Sequence, residues 1–279
     1  MFAVVRAAPP RRGIAGRLWE KLMPVRATAA DQKLAGLSYI LVDVRRRWDG
    51  SIPWEAVASA AQVHLLPPDG EVPPEYLPQA DETALERTLL LDLARRLLSG
   101  SDQPPARRTA VLLDPRGTAQ PLALPLLEVA GTLRVCTLVP DAWAALTEEL
   151  LEERGAFLQV GGVPGDLEGS TLVLAPDGWD ALLQPPASVP VLASRPVPVR
   201  GRCLQFTGLE PAVPPELAAG LPAGTSPARF LAAAYGDGQS LPVPLRAARM
   251  RCGPQWVTSQ QVEEAFRRRR DASGLRVFY

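Results

Sequence analysis

The sequence predicts an α/β protein with a mostly parallel sheet flanked by helices, preceded by a smaller α/β N-terminal domain. The first observation is a strand–turn–helix–strand pattern between residues 108 and 140. The second is the alternation of apolar strands and helices that continues to about residue 206, as in βαβ units of a parallel sheet. The third is the turn-forming run SGSDQPPA at 99–106, which separates this region from the residues before it. We therefore expect domains at 1–105 and 106–279, the second with a helical tail.

The N-terminal domain combines short apolar strands with two helices. Its predicted short elements are strands at Phe2–Arg6, Tyr39–Val44 and Val63–Leu66 and a helix at Trp54–Ala61. A longer helix is predicted over residues 82–98, because leucines recur every four residues from Leu85 to Leu97. We expect Asp81 to be its N-cap and Gly100 to end it.

The second domain begins with the βαβ pattern: a strand at Val111–Asp114, a helix at Leu122–Ala130 and a strand at Leu133–Leu138. A helix from Asp141 to Arg154 follows. The remaining predicted elements are strands at Phe157–Val160, Thr171–Ala175, Val189–Ala193, Cys203–Phe206 and Leu275–Tyr279, and helices at Pro227–Tyr235 and at Ser259–Arg270, the last with a Thr258/Gln261 capping box. Residues 161–170 and 193–203 are short for parallel crossovers, so we expect the later half of the domain to be trimmed or partly antiparallel.

Composition excludes several classes of function. The 30 basic and 30 acidic residues balance, which argues against nucleic-acid and membrane partners. No run approaches the roughly 18 apolar residues of a membrane span, and the N-terminus lacks the apolar core of a signal peptide. With one histidine and three scattered cysteines, no metal site is expected, and the cysteines suit a reducing compartment. We expect a soluble, cytoplasmic, bacterial protein.

Residues 108–210 resemble the nucleotide-binding domain of NAD(P)-dependent dehydrogenases, the Rossmann group. The resemblance is carried by the strand–turn–helix–strand spacing from Val111 to Thr137 and by the segment GDLEGSTLVLAPDGW at 165–179. Shikimate-dehydrogenase-like and amino-acid-dehydrogenase-like proteins are the nearest in organisation, because they too carry a separate N-terminal domain. The resemblance implies a Rossmann-like fold with a ligand cleft at the first strand-to-helix turn.

That turn lacks the glycine fingerprint G-x-G-x-x-G of the family. It reads Asp114, Pro115, Arg116, Gly117, Thr118, Ala119. Only Gly117 could fill one of the glycine positions, and Asp114 would place a negative charge beside the phosphates. Pro115, Pro121 and Pro125 remove backbone N–H groups from the turn and from the start of the helix, which is the anion-binding element.

The acid that would hold a ribose at the end of the second strand is also missing, since residues 137–140 read TLVP. We therefore expect a degenerate Rossmann-like domain that does not bind NAD(P) in the usual way. The cofactor, if there is one, stays unknown.

The run Asp114-Pro-Arg-Gly-Thr also resembles the first motif of haloacid-dehalogenase-like phosphatases, in which a strand-end aspartate is the nucleophile. Thr137 could correspond to their second motif. The second aspartate of the first motif, however, would fall at Arg116, and the nearest acids for a metal are Asp177 and Asp180. The alternative interpretation is that Asp114 and the following glycine simply shape a strand-to-helix turn.

Three functional hypotheses remain open. The first is a non-catalytic or ligand-binding Rossmann-like protein without nicotinamide chemistry, in which Arg116, Gly117 and Thr118 could bind an anionic or nucleotide-like small molecule. The second is an enzyme, either an atypical oxidoreductase or a phosphatase-like hydrolase that uses Asp114. The third is a structural or assembly protein that forms a homo-oligomer through its leucine-rich helix and its tail.

Overall fold

The computed structural model describes residues 1–11, 13, 25–156, 158–164 and 167–268. It has a mixed α/β fold with a large, mostly parallel sheet and a smaller four-stranded sheet, which confirms the predicted fold class. The strands are β1 Phe2–Ala8, β2 Thr28–Leu34, β3 Leu37–Arg45, β4 His64–Leu66, β5 Thr109–Leu113, β6 Thr132–Cys136, β7 Leu158–Gly161, β8 Leu172–Ala175, β9 Val191–Ala193, β10 Gln205–Pro211, β11 Ala247–Cys252 and β12 Gln255–Thr258. The helices are α1 Trp54–Ala60, α2 Thr83–Ser99, α3 Ala123–Leu127, α4 Ala144–Arg154, α5 Pro215–Gly220, α6 Pro227–Gly236 and α7 Ser259–Arg268.

The chain divides into two compact units that are not continuous in sequence. The small-sheet unit comprises Met1–Leu85 and Val213–Pro244, and the large-sheet unit comprises Glu86–Ala212 and Leu245–Tyr279. The run at 99–106, which the sequence suggests as a linker, lies inside the large-sheet unit. A domain boundary drawn at residue 105 does not account for the return of residues 213–244 to the first unit.

Helix α6 explains this return, because it packs on the small sheet. The Phe230 ring lies edge-on to the rings of Phe2, with centroids 5.3 Å apart, and Tyr39, with centroids 5.2 Å apart. Arg229 binds the Glu82 carboxylate through Nε at 2.8 Å, and its Nη1 reaches Asp69 at 2.9 Å. Aromatic burial and these ion pairs therefore fix residues 213–244 to the first unit.

The small sheet has the strand order β2-β3-β1-β4. Strand β1 pairs in parallel with β3 and β4, whereas β2 and β3 form an antiparallel hairpin. The sequence analysis missed β2, because its residues, TAADQKL, are polar and almost entirely exposed. Such an edge strand carries no apolar alternation for a sequence pattern to detect.

The large sheet has the order β12-β11-β10-β9-β8-β5-β6-β7. The six strands from β5 to β10 are parallel. Numbered along the chain from β5, their spatial order is 3-2-1-4-5-6, the order of the Rossmann dinucleotide-binding fold. Antiparallel pairing occurs between β10, β11 and β12.

The later crossovers of the large sheet are trimmed. In the described part of the chain, no helix connects β7 to β8, β8 to β9 or β9 to β10. Strands β8 and β9 are buried at every position, as expected for the centre of a parallel sheet. The hydrophobic core thus holds these strands in parallel without covering helices in their connections.

Several predicted elements differ in their bounds. The helix expected at Leu122–Ala130 is a 3₁₀ turn at Gln120–Leu122 followed by the five-residue α3. Pro125 stands in the first turn of α3, where a missing N–H costs no intrahelical bond. The strand expected at Leu275–Tyr279 and the end of the helix expected at Ser259–Arg270 lie outside the described residues.

The predicted cap contacts are present. The Thr83 N–H donates to Asp81 Oδ1 at 2.8 Å before α2. Thr258 and Gln261 form a reciprocal capping box at α7, with N–H to side-chain oxygen distances of 2.8 and 3.3 Å. Six of the seven leucines of α2 are each at most 1% exposed and Leu91 is partly buried, so the Leu85–Leu97 stripe is not a free surface for self-association.

Gly131, which precedes β6, is in close contact with the backbone of Ala106. A Cβ at this position would lie 2.6 Å from the Ala106 Cα and 2.8 Å from its carbonyl oxygen. We expect Gly131→Ala to lower the free energy of unfolding by about 1–3 kcal/mol, as overpacking does. Urea unfolding measures this. The control is Gly162→Ala, where no atom lies within 4 Å of the added Cβ; equal losses for the two variants would contradict the expectation.

Burial raises the pKa of Glu86, in the first turn of α2, from its ordinary 4.5 to about 7. The neutral acid is therefore favoured in the folded chain, and stability is lost as pH rises from about 4.5 through 7. We expect Glu86→Gln to be more stable than the parent at pH 8, by up to roughly 3 kcal/mol at 1.36 kcal/mol per pKa unit. The two proteins should be nearly equally stable at pH 4.5.

Urea unfolding at both pH values checks this expectation. The matched control is Glu149→Gln on α4, because Glu149 is exposed to solvent. A pH-independent difference between Glu86→Gln and its parent would show that the substitution acts through packing and not through ionisation.

Candidate functional site

The candidate site lies at the carboxyl ends of β5 and β8, two neighbouring parallel strands. In the order 3-2-1-4-5-6 these are strands 1 and 4, between which the order reverses. Open α/β sheets bind their ligands in the crevice outside the strand ends at this switch point. The four residues singled out from the sequence, Asp114, Arg116, Gly117 and Thr118, all lie in the turn that follows β5.

The Asp114 side chain closes this turn from the inside. The residue is completely buried, and its carboxylate accepts three N–H groups. Oδ1 accepts the Thr118 backbone N–H at 3.0 Å, and Oδ2 accepts the Ala119 N–H at 3.1 Å. The Trp143 Nε1–H donates to Oδ2 at 2.9 Å. All three donors are directed at a group of the protein itself, as in an Asx-type turn.

These bonds use the donors that an external anion would need. In nucleotide-binding folds, the backbone N–H groups of this turn and of the following helix start are free to receive the phosphates. Here two of them are bonded to Asp114, and α3 is only five residues long. The Asp114 carboxylate therefore accepts the hydrogen bonds that a bound phosphate would accept in those folds.

A second group of polar side chains joins the ends of β5 and β8. The Thr118 hydroxyl donates to Asp177 Oδ2 at 2.9 Å. Asp177 also accepts Arg87 Nε at 3.2 Å and forms a salt bridge with its Nη2. The carboxylate of Asp177 is 10% exposed, so this ion pair is largely shielded from solvent. The switch point is thus filled by hydrogen-bonded side chains.

Gly117 packs tightly against the neighbouring turn. Its φ is +72°, and a Cβ would lie 2.7 Å from Ala142 Cβ and 3.1 Å from Val139 Cγ2. Glycine is required here both by the left-handed backbone conformation and by this close approach. In a dinucleotide-binding turn the glycine admits the pyrophosphate, whereas in this turn it admits another loop of the protein.

The Arg116 guanidinium is accessible, and Thr118 is also exposed, although its hydroxyl is bonded to Asp177. The Arg116 side chain is exposed, and among the described residues it forms neither a hydrogen bond nor an ion pair. It therefore does not join the network around Asp114. The structure brings Asp114, Gly117 and Thr118 together and leaves Arg116 apart at the surface.

The acids considered for a phosphatase-like site do not converge. Asp177 is paired with Arg87, and Asp180 is exposed and paired with Arg195 at 2.9 Å. Thr137 is buried, with its hydroxyl accepting the Val139 N–H at 3.1 Å. Within the described ranges, no group of three or more His, Cys, Asp or Glu side chains could hold a metal ion.

Apolar side chains occupy the neighbouring strand ends. Leu138, which follows β6, is 66% exposed, and Val163, which follows β7, is 71% exposed. Cys136 and Gly161, two residues before them, are register partners in the sheet. This end of the sheet offers a polar ligand no hydrogen-bonding side chains at the positions of Leu138 and Val163.

Sequence reasoning located the turn but missed its partners. Trp143 lies 29 residues after Asp114, and Arg87 comes from a helix that the sequence assigned to the other domain. The presence of Asp177 after a predicted strand was the one available signal, because the carboxyl ends of parallel strands meet at one edge.

No protein-family model matches the chain, and no curated protein is detectably similar to it. Within the described residues, no helix has both the length and the apolarity to cross a membrane. The likeness to the Rossmann group therefore rests on strand order and on the mostly parallel sheet.

Removing the charge of Asp114 tests its role in the turn. In Asp114→Asn the amide nitrogen, itself a donor, would face one or more of the three N–H groups. We expect a loss of about 2–4 kcal/mol in the free energy of unfolding, because buried donors lose their acceptor. Urea unfolding measures it, and Asp180→Asn, at an exposed ion pair, should change it by less than about 1 kcal/mol. An unchanged free energy of unfolding in Asp114→Asn would contradict a structural role for Asp114.

Proposed function

We propose that this chain is a non-catalytic Rossmann-like protein in which the switch point is a structural clamp, and that it functions as an assembly protein through its surface. The observation that carries the proposal is the coordination of the buried Asp114 carboxylate by the Thr118, Ala119 and Trp143 N–H groups. A nucleotide site needs the Thr118 and Ala119 backbone donors free, and a hydrolase needs the Asp114 carboxylate free.

Nicotinamide chemistry is disfavoured at two of the contacts that a dinucleotide would make. The pyrophosphate would meet the Asp114 charge and two N–H groups that are already bonded. The ribose would meet exposed Leu138 and Val139 in place of an acid. Both observations support a sheet that has kept the strand order without the cofactor contacts.

A nucleophilic role for Asp114 is disfavoured by its burial. Attack on a phosphorus atom requires an accessible carboxylate oxygen, with a metal ion to neutralise the phosphate charge. Asp114 has no exposed surface, and each of its oxygens accepts at least one hydrogen bond. The same geometry suits a group that holds a turn closed.

The hypothesis of an anionic ligand keeps one supporting residue, the accessible Arg116. A single exposed guanidinium can attract an anion but gives it no fixed geometry. We therefore place the recognition chemistry of the protein on its surface and outside the switch point.

A thermal-shift screen tests the proposal. We expect no stabilisation by 1 mM NAD, NADP, ATP or a hexose phosphate, because the Thr118 and Ala119 N–H groups of the turn are already bonded to Asp114. A ligand that bound with a dissociation constant near 10 μM would contribute about 2.7 kcal/mol at this concentration and shift Tm by several degrees. Such a shift, if lost in Arg116→Ala, would establish an anion site and overturn the proposal.

The hydrolase alternative has its own readout. Magnesium-dependent release of phosphate from an aryl phosphate, abolished in Asp114→Asn but kept in Asp180→Asn, would establish catalysis. We expect no release above that of a buffer control.

A further inference from the structure

We propose that the groove between α4 and β7 binds an extended, basic segment of a partner protein, which adds as a strand to the open edge of the large sheet. The inference rests on the proposed function, because it gives the assembly role a surface and a class of partner. Four features of the described residues support it: a groove, an open strand edge, unpaired acids and the like charge of a second copy.

The groove has a cavity volume of about 690 Å³ and runs beside β7. Its apolar lining includes Leu151 and Val160, which have accessible surface, and Trp143 and Leu158, which are buried. Leu151 is 52% exposed, although it lies on the helix face that borders the sheet edge. A groove between an edge strand and a helix, with apolar walls, is the geometry in which other proteins add a peptide strand.

Strand β7 ends the large sheet, and one side of its backbone is unpaired in the described structure. The Gly161 carbonyl accepts the Thr137 N–H at 2.8 Å, so the backbone groups of Gly161 face β6. Because these groups alternate along a strand, those of Leu158 and Val160 face outward. They offer N–H donors and C=O acceptors to an added strand.

Acidic side chains stand at and near the groove. Asp141 and Glu148 line it, and Glu149, Glu152 and Glu153 lie elsewhere on α4, outside the lining. All five are exposed, and none forms a salt bridge within the described ranges. Residues 140–156 contain these five acids and one basic residue, Arg154. A partner that brings arginine or lysine side chains would complement this charge and be steered towards it.

The same charge argues against the other occupants. Nucleic acid and anionic lipid surfaces would be repelled by the acids. A second copy pairing β7 with β7 would place the same patch on both sides of a two-fold axis and bring two acidic α4 helices together. A basic segment of a different protein remains as the complementary occupant.

The test uses a defined probe, a fluorescent heptapeptide of sequence Val-Thr-Arg-Thr-Val-Thr-Arg. In a strand, its valine and arginine side chains share one face, which would turn towards the groove. We expect saturable binding by fluorescence anisotropy, and at least tenfold weaker binding when glutamate replaces both arginines. Equal binding of the two peptides, or no binding of either at 1 mM protein, would overturn the inference.

Two N-methylated peptides separate strand addition from simple charge attraction. One peptide carries methyl groups on every second backbone amide, and the other carries them on the amides in between. We expect one pattern to abolish binding, because those N–H groups face β7, and the other to change it by less than twofold. Equal affinities for the two would rule out strand addition.

Protein variants locate the site. Glu148→Lys should weaken binding at least fivefold, whereas Glu75→Lys makes the same charge change at an exposed position of the small-sheet unit and should not. Val160→Pro removes an outward N–H, which an edge strand tolerates, and should abolish binding. Glu148→Lys keeps the test independent of folding, since its side chain is exposed.

The two proposals fail separately. If the peptide does not bind and no ligand shifts Tm, the groove is not the binding site, and the non-catalytic interpretation of the switch point stands. A nucleotide-induced shift together with specific peptide binding would reject that interpretation and leave the groove.

Discussion

The large-sheet unit depends on the burial of one carboxylate at the end of its central strand. An ionised carboxylate without partners costs several kcal/mol in a protein interior. Asp114 is held there by the Thr118, Ala119 and Trp143 N–H groups, which come from the turn itself and from the segment just before α4. The same contact therefore fixes the exit from β5 and the start of α4. The edge strand β7 follows α4, so its groove is positioned by this contact as well.

The hydrogen bonds around Asp114 also explain how the strand order can be present without the contacts that bind a cofactor. The order of the parallel strands follows from continuous apolar runs, such as Leu172–Ala175, and from crossovers that need only enough length. Neither requirement involves the phosphate-binding glycines. Asp114 supplies negative charge to the Thr118 and Ala119 donors of the turn, so these two groups are bonded without a ligand. This carboxylate supports the proposal that the strand order is kept here without a bound nucleotide.

What the sequence could predict was determined by local chemistry. The leucine period of α2, the Asp81 cap and the Thr258/Gln261 capping box are local patterns, and the structure has all of them. Strand β2 escaped detection because its side chains are exposed, and the packing of α6 on Phe2 and Tyr39 depends on contacts nearly 200 residues apart or more. The turn at Asp114 was located from its residues. The side-chain contacts that fill it were not predictable, since nothing in the sequence around Trp143 or Arg87 indicates that they bind Asp114 and Asp177.

Outside the switch point, backbone groups remain available along the edges of the large sheet, and β7 is one of these edges. Interior donors near β5 are paired with Asp114, and Asp177 is paired with Arg87 and Thr118. On the described part of β7, by contrast, the outward N–H and C=O groups stand beside an apolar groove and beneath an acidic helix. A short edge strand limits uncontrolled pairing, and the acids on α4 repel a second copy of the same edge. Short length and like charge thus disfavour the pairing of β7 with a second copy, which supports the proposed basic strand as its partner.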